Sequence, residues 1–233
     1  MRPAPIVPSV LLVLGTGVAA AEPVALDVTV DVSTVSDYVW RGDRMAPGVM
    51  VPVAQSYVEL GLAPIRHGRL AVGAWTSAFL TGRAPSYEVD PYVSYAAPWG
   101  PATITTGYAV YLVTDAMPVT TMHEASLQVA LEDHALVPSA GVAVDFVRTD
   151  GWYAWAALAH QRTLGPATVA TRVELGGSDY AGLDAGFQHA TLSSRGSVDV
   201  GAGVYLAASG ALAYAGRSAQ WTPTLAVSVG VSR

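Results

Sequence analysis

The sequence predicts an all-β chain, an antiparallel up-and-down transmembrane β-barrel of about twelve strands, and three observations carry that expectation. Apolar and polar residues alternate with a period of two in nearly every segment after the first two dozen residues, which is the signature of strands with one oily and one wet face. The 52% hydrophobic content is not gathered into long blocks, so it suits strands better than spanning helices. The segments have about the nine to eleven residues, or slightly more, that a tilted membrane strand needs, and turn residues separate them.

Residues 1–21 read as a signal peptide. Arg2 is the one early cation, Val10 to Leu14 form a short apolar run, and Val18, Ala19, Ala20 and Ala21 supply a small-residue cleavage region. The apolar run is short for a membrane anchor, and Pro3, Pro5 and Pro8 break its approach. The remainder, 22–233, is expected to be one barrel domain.

The first strand, 24–40, sets Leu26, Val28, Val30 and Val32 against Asp27, Thr29, Asp31 and Ser33. Spans 50–62 and 69–79 follow, parted by a turn at Ala63 to Gly68. Residues Pro91 to Thr114 carry no charge and are long enough for a helix, but Pro98-Trp99-Gly100-Pro101 interrupts them, giving strands 86–97 and 101–113. In 120–133, Ala125, Leu127, Val129 and Leu131 oppose Glu124, Ser126, Gln128 and Glu132, so a one-residue slip would put carboxylates into lipid. Strands 137–148 and 151–162 come next. In 167–176, Val169, Val173 and Leu175 oppose Thr168, Arg172 and Glu174. Strands 180–193 and 197–208 are separated by a turn at Ser193 to Gly196, and Gly201-Ala202-Gly203 reads as close-packed strand. A loop from Ser209 to Ala219 precedes the last strand, 220–232. With a periplasmic N-terminus short turns fall on the periplasmic side, while the outer set mixes the longer Gly42 to Val49 and Ser209 to Ala219 loops with short ones near Asp150 and Gly177, and no connection is long enough for a folded plug.

Tyr38, Trp40, Tyr87, Tyr92, Tyr95, Trp99, Trp152, Tyr153, Trp155, Tyr180 and Trp221 lie mostly near strand ends, where aromatic girdles meet the two membrane interfaces. Parity assigns Asp27, Asp31, Glu59, Glu88, Asp90, Glu124, Asp145, Glu174, Asp184 and Asp199 to the lumen, against Arg41, Arg162 and Arg172. Such an acidic interior favours small cations, most at low salt. Tyr57, Trp75, Tyr92, Tyr111 and Tyr205 have inward parity and stand to narrow the passage.

The segment Val35-Ser36-Asp37-Tyr38-Val39-Trp40-Arg41-Gly42 resembles the opening motif of TorF-type porins, small Gram-negative outer-membrane barrels. Glu88-Val89-Asp90-Pro91-Tyr92, Gly107-Tyr108-Ala109-Val110-Tyr111 and His123-Glu124 are similar in order and spacing. The resemblance implies passive diffusion of small hydrophilic solutes or ions across the outer membrane. It also implies lipid and the barrel-assembly machinery as partners. The chain departs from outer-membrane barrels in general by ending Val231-Ser232-Arg233 instead of on an aromatic residue. Within the motif, Ser36, Asp37, Tyr38, Trp40, Arg41 and Gly42 are placed at the barrel rim. Asp37 and Arg41 face the lumen to meet charges on neighbouring strands, Tyr38 and Trp40 face lipid, and Gly42 allows the chain to turn away.

Other chemistry finds little support. The net charge of −6 argues against nucleic-acid binding. The chain has no cysteine, so it has no disulfide and no thiolate ligand. No histidine has a serine two residues on, and no pair of histidines has metal-ligand spacing, so neither enzyme nor cofactor is expected. Arg41-Gly42-Asp43 matches an adhesion tripeptide of a length that arises readily by chance. Two rivals stay open: a barrel enzyme acting on lipid, and a soluble periplasmic ligand-binding barrel with Leu and Val inside.

Overall fold

The structure is a computed structural model that describes residues 24–46, 50–65, 67–81, 87–114, 120–132, 134–148, 150–179 and 185–233. The signal-peptide reading of 1–21 and the positions of Tyr180 and Asp184 lie outside the described residues. Twelve strands close into an antiparallel barrel in chain order, with the first pairing to the last. They are β1 (Ala25–Val35), β4 (Val53–Ile65), β5 (Gly68–Phe79), β6 (Tyr87–Trp99), β7 (Ala102–Thr114), β8 (Thr120–Ala130), β9 (Val137–Asp145), β10 (Gly151–Leu164), β11 (Ala167–Asp179), β12 (Gly186–Gly201), β13 (Val204–Ala215) and β14 (Gln220–Ser232). Between β1 and β4 a small hairpin forms from β2 (Val39–Trp40) and β3 (Asp43–Arg44). Both ends of the barrel sequence lie at one rim, the terminal rim, and the 36–52 connection emerges at the other, the loop rim.

The aliphatic rows point away from the axis. Leu225 is 70% exposed and Val227 63%, whereas Thr222 and Glu174 on the inner face are buried. Leu127 and Val129 project outward, while Glu124 is buried inside. This rejects the soluble ligand-binding barrel, which needed a dry aliphatic interior. Outside, Tyr87, Phe146, Trp152, Phe187 and Trp221 are exposed near the loop rim, and Trp99 near the terminal rim. Tyr214 bridges Phe187 and Trp221 with ring contacts of 6.3 and 5.0 Å. These rings form the girdles, but Tyr38, Trp40, Tyr92, Tyr153 and Trp155 belong to the interior instead.

The C-terminal third differs from expectation in register of turns. Ser193 to Gly196 is strand, because Ser193, Arg195 and Ser197 face the lumen while Ser194, Gly196 and Val198 face out; polar composition here marks a wet face and not a turn. The chain reverses at Gly201-Ala202-Gly203, all with left-handed backbone (φ +105°, +56° and +76°). Ser209 to Ala215 is likewise strand, and its Ala211, Ala213 and Ala215 line the inner wall with small side chains.

Candidate functional site

The first strand ends at Val35, five residues short of expectation, and the chain then turns into the barrel. Ser36 fixes the exit: its N–H donates to the Leu225 carbonyl at 2.8 Å, and its hydroxyl accepts from the Leu225 N–H at 3.0 Å. Asp37 is 1% exposed and accepts from the Tyr38 N–H and from Arg44 Nε, the latter at 2.6 Å. Arg41 and Gly42 form the two central residues of the β2–β3 turn with φ of +47° and +87°, the type I′ geometry that suits a tight hairpin. A Cβ on Gly42 would overlap the His189 side chain, so close approach as well as backbone twist calls for glycine here.

Folded inward, the segment fills the loop-rim half of the lumen. Tyr38 and Trp40, 2% and 1% exposed, pack in a cluster with Val53, Tyr111 and Met122, flanked by Trp75, Phe79 and Ala109. The expected lipid contact of Tyr38 and Trp40 is therefore wrong. The period-two pattern stops at Ser36, and burying both rings inside satisfies the apolar demand that parity had assigned to lipid. A plug also exists where the connections looked too short for one. It needs only a two-residue turn and the span between β1 and β4. Arg41-Gly42-Asp43, lying inside, is not presented to an external adhesion partner.

Arg41 crosses the lumen. Its Nη2 donates to Glu124 Oε2 of β8 at 2.7 Å, and its guanidinium lies 3.9 Å from the Tyr153 ring centroid and 4.4 Å from that of Trp40. Tyr111 donates to the other Glu124 oxygen at 2.6 Å, and Tyr38 donates to Glu88 at 2.6 Å. The expected latch thus exists for Arg41, with a strand on the far wall. Asp37 pairs within its own segment.

Tilted strands bring distant residues into rows across the inner face. Thr29, Glu59, Gly73, Tyr92, Ala109, Glu124 and Asp145 are successive cross-strand partners, as are Asp31, Tyr57, Trp75 and Asp90. Parity is right for Asp27, Asp31, Glu59, Glu88, Asp90, Glu124, Asp145, Arg172 and Glu174. Arg69 donates to both Asp27 and Glu59, and Tyr57 and Tyr92 donate to Glu59. Arg195 and Tyr205 each donate to Asp31 at 2.8 Å. Arg172 donates to Glu174, which also accepts from Tyr153 at 3.2 Å. Asp145 accepts from the N–H groups of Val147 and Arg148 and so caps its strand end. Asp199 is at the terminal rim, accepting from Gly201 N–H at 2.7 Å.

Arg162 contradicts its inward assignment. It pairs with Val169 on the outward parity of β10, beyond Leu158 and His160 near the terminal rim, where a cation reaches water or headgroups. Arg69 and Arg195 are lumen cations that were not singled out, although both lie on inward parity. Arg195 lies in a stretch whose serine and glycine content reads as a turn, and Arg69 stands at the very start of its strand.

The inward rings lie against the wall. Tyr92 covers Gly73, Trp155 covers Gly141, Tyr205 covers Gly230 and His189 covers Gly176, each glycine being the ring's own cross-strand partner. A Cβ at any of the four would overlap the ring above it. Ring and glycine together occupy little more depth than two ordinary side chains, so the aromatic bulk lies along the wall. Among the described residues no group of three or more His, Cys, Asp or Glu is placed to hold a metal.

The fold is similar to solved outer-membrane barrels. An outer membrane channel from Pseudomonas putida F1 superposes with a TM-score of 0.54 at 9% identity, covering 93% of this chain and 100% of that one. The translocator domain of the autotransporter NalP from Neisseria meningitidis gives 0.49 at 13%, covering 94% and 88%. An anion-selective porin from Comamonas acidovorans gives 0.40 at 10%, covering 91% and 99%. At such identities the likeness is one of fold. No protein-family model matches the chain and no curated protein matches its sequence, so the resemblance to TorF-type porins rests on the motifs quoted above.

Proposed function

We propose that the chain is an outer-membrane diffusion channel for small hydrophilic solutes, restricted at the loop rim by the infolded 36–44 segment and mildly selective for cations. One observation carries this reading: the wall is two-sided, with exposed Leu and Val outside and hydrogen-bonded carboxylates, hydroxyls and guanidiniums inside. Lipid solvates the first set and water the second. The glycine-seated rings support a passage, since they hold aromatic bulk against the wall.

The sign of the selectivity follows from the inner charges. Arg41, Arg44, Arg69, Arg172 and Arg195 each pair with a carboxylate, and Arg69 shares two. Among the described residues the inward carboxylates Asp27, Asp31, Glu59, Glu88, Asp90, Glu124, Asp145 and Glu174, with Asp37 of the infolded segment, outnumber these guanidiniums, which gives the inner wall a negative balance. Diffusion through such a lumen requires no catalytic group. Detergent extraction from membrane fractions, heat-modifiable gel mobility and liposome swelling test the reading in sequence. A protein that fractionates with the outer membrane but never accelerates swelling, even with the 36–44 segment displaced, would reject it.

A further inference from the structure

We propose that the pocket holding Arg41 is a binding site for the guanidinium head of a permeating solute. Arg41 is its tethered occupant, and basic solutes displace the hairpin and open the route they use. The inference rests on the diffusion-channel reading and adds to it a ligand class and a mode of opening.

The barrel wall supplies the carboxylate and one aromatic face of the pocket, and Trp40 of the hairpin adds a second ring 4.4 Å from the guanidinium that leaves with the hairpin. Glu124 of β8 presents one carboxylate oxygen to the guanidinium at 2.7 Å, while Tyr111 of β7 holds the other oxygen at 2.6 Å and so fixes the carboxylate plane. The Tyr153 ring of β10 closes one face at 3.9 Å. At the hydroxyl edge of that ring Glu174 of β11 accepts the Tyr153 hydroxyl proton at 3.2 Å, which places a second negative charge beside the aromatic. An oriented carboxylate at the edge and an aromatic face above are what a planar, weakly hydrated cation takes, and a neutral isostere of the same shape gains neither attraction. With Arg41 seated, Glu124 is 6% and Tyr153 4% exposed, so the tethered guanidinium is largely desolvated and its charge is felt strongly.

The occupant is built to leave as a unit. Asp37 and Arg44 pair with one another, and Met45 N–H donates to the Tyr38 carbonyl, so the segment keeps internal partners when it moves. Arg41 carries its long side chain at φ +47°, in the left-handed region that a type I′ turn more readily fills with Asn, Asp or Gly. A free cation arriving through the lumen competes for the same carboxylate without that backbone constraint. Tethering raises the effective concentration of Arg41, so displacement belongs to the millimolar range of solute and not the micromolar.

Arginine and citrulline form the probe pair, since they share a backbone and length but differ in charge. In planar bilayers, millimolar arginine is expected to raise the mean current of the native protein about threefold or more, and citrulline to leave it unchanged. Arg41→Ala is expected to conduct without added solute and to gain nothing from arginine. Calorimetry on refolded Arg41→Ala should show arginine binding without citrulline binding, and Glu124→Gln in that background should abolish it. Should Arg41→Ala lose its folded, heat-modifiable band, Arg41→Gln takes its place.

Equal responses to arginine and citrulline would overturn the proposal while leaving the channel reading intact. So would conduction by Arg41→Ala together with no arginine binding. If neither protein conducts but Arg41→Ala binds arginine over citrulline, the channel reading and the displacement mechanism fall and the cation pocket stands.

Discussion

Arg195 of β12 donates to Asp31 of β1 at 2.8 Å, reaching past β13 and β14 and hence over the seam where the first strand meets the last. Arg195 also donates to Ser228 of β14 at 3.0 Å, and Tyr205 of β13 donates to the same Asp31 oxygen. Asp31 and Arg195 together therefore tie four adjacent strands on the side that completes the cylinder. Both charged groups are partly solvated, so the pair is worth less than a dry one. Arg195→Ala is expected to lower unfolding stability by about 1 kcal/mol. Denaturant titration of refolded protein measures it, and a double-mutant cycle with Asp31→Asn separates the pair from lost packing.

Gly141 lies beneath the Trp155 ring. Gly141→Ala should lift that ring toward the axis or strain β9, costing about 1–3 kcal/mol as overpacking does, and narrowing the passage. Reduced single-channel conductance from a folded variant is the diagnostic result; unchanged conductance and stability would show that the ring has room to move.

Val227 occupies the middle of β14 on the outer face. Val227→Arg should destabilise the inserted barrel by about 2–4 kcal/mol, the cost of a cation at the bilayer midplane, whereas Ser193→Arg, on the inner face of β12, should insert normally. Folding yields into lipid vesicles compare them. Equal tolerance at both positions would contradict the orientation of the wall.

Asp27 and Glu59 share Arg69. Replacing both with Asn and Gln leaves a guanidinium alone in the lumen, so reversal potentials should shift toward anions, most clearly at low ionic strength where screening is weak. The native protein should prefer cations under the same gradient and lose that preference as salt rises.

Much of this architecture was readable from strand periodicity. Leu127 and Val129 against Glu124 and Gln128 gave the correct faces, because a two-residue period leaves one arrangement that keeps carboxylates in water. Segment lengths and turn residues along the chain also gave twelve strands, though β12 and β13 end several residues beyond their expected limits. There a serine-rich stretch looked like a turn, since hydroxyls that face a wet lumen have the same composition as hydroxyls that face bulk water. Tyr38 and Trp40 were misplaced for a different reason. Lipid and a small enclosed core reward aromatic rings alike, and local sequence does not distinguish them. The available signal was Trp40-Arg41-Gly42-Asp43, in which Gly supplies one of two left-handed positions of a tight turn. Partners of Arg41 on β8 and β10 depend on which strands lie opposite, a property of cylinder closure and not of any short segment.

The segment that stoppers the loop rim leaves the chain after the first strand, yet Arg41 and Gly42 settle on residues of β8, β10 and β12. Its docking surface does not exist until most of the polypeptide has been laid down. The stopper can seat only once β8, β10 and β12 have joined the wall, so a barrel halted before them would keep an unrestricted mouth.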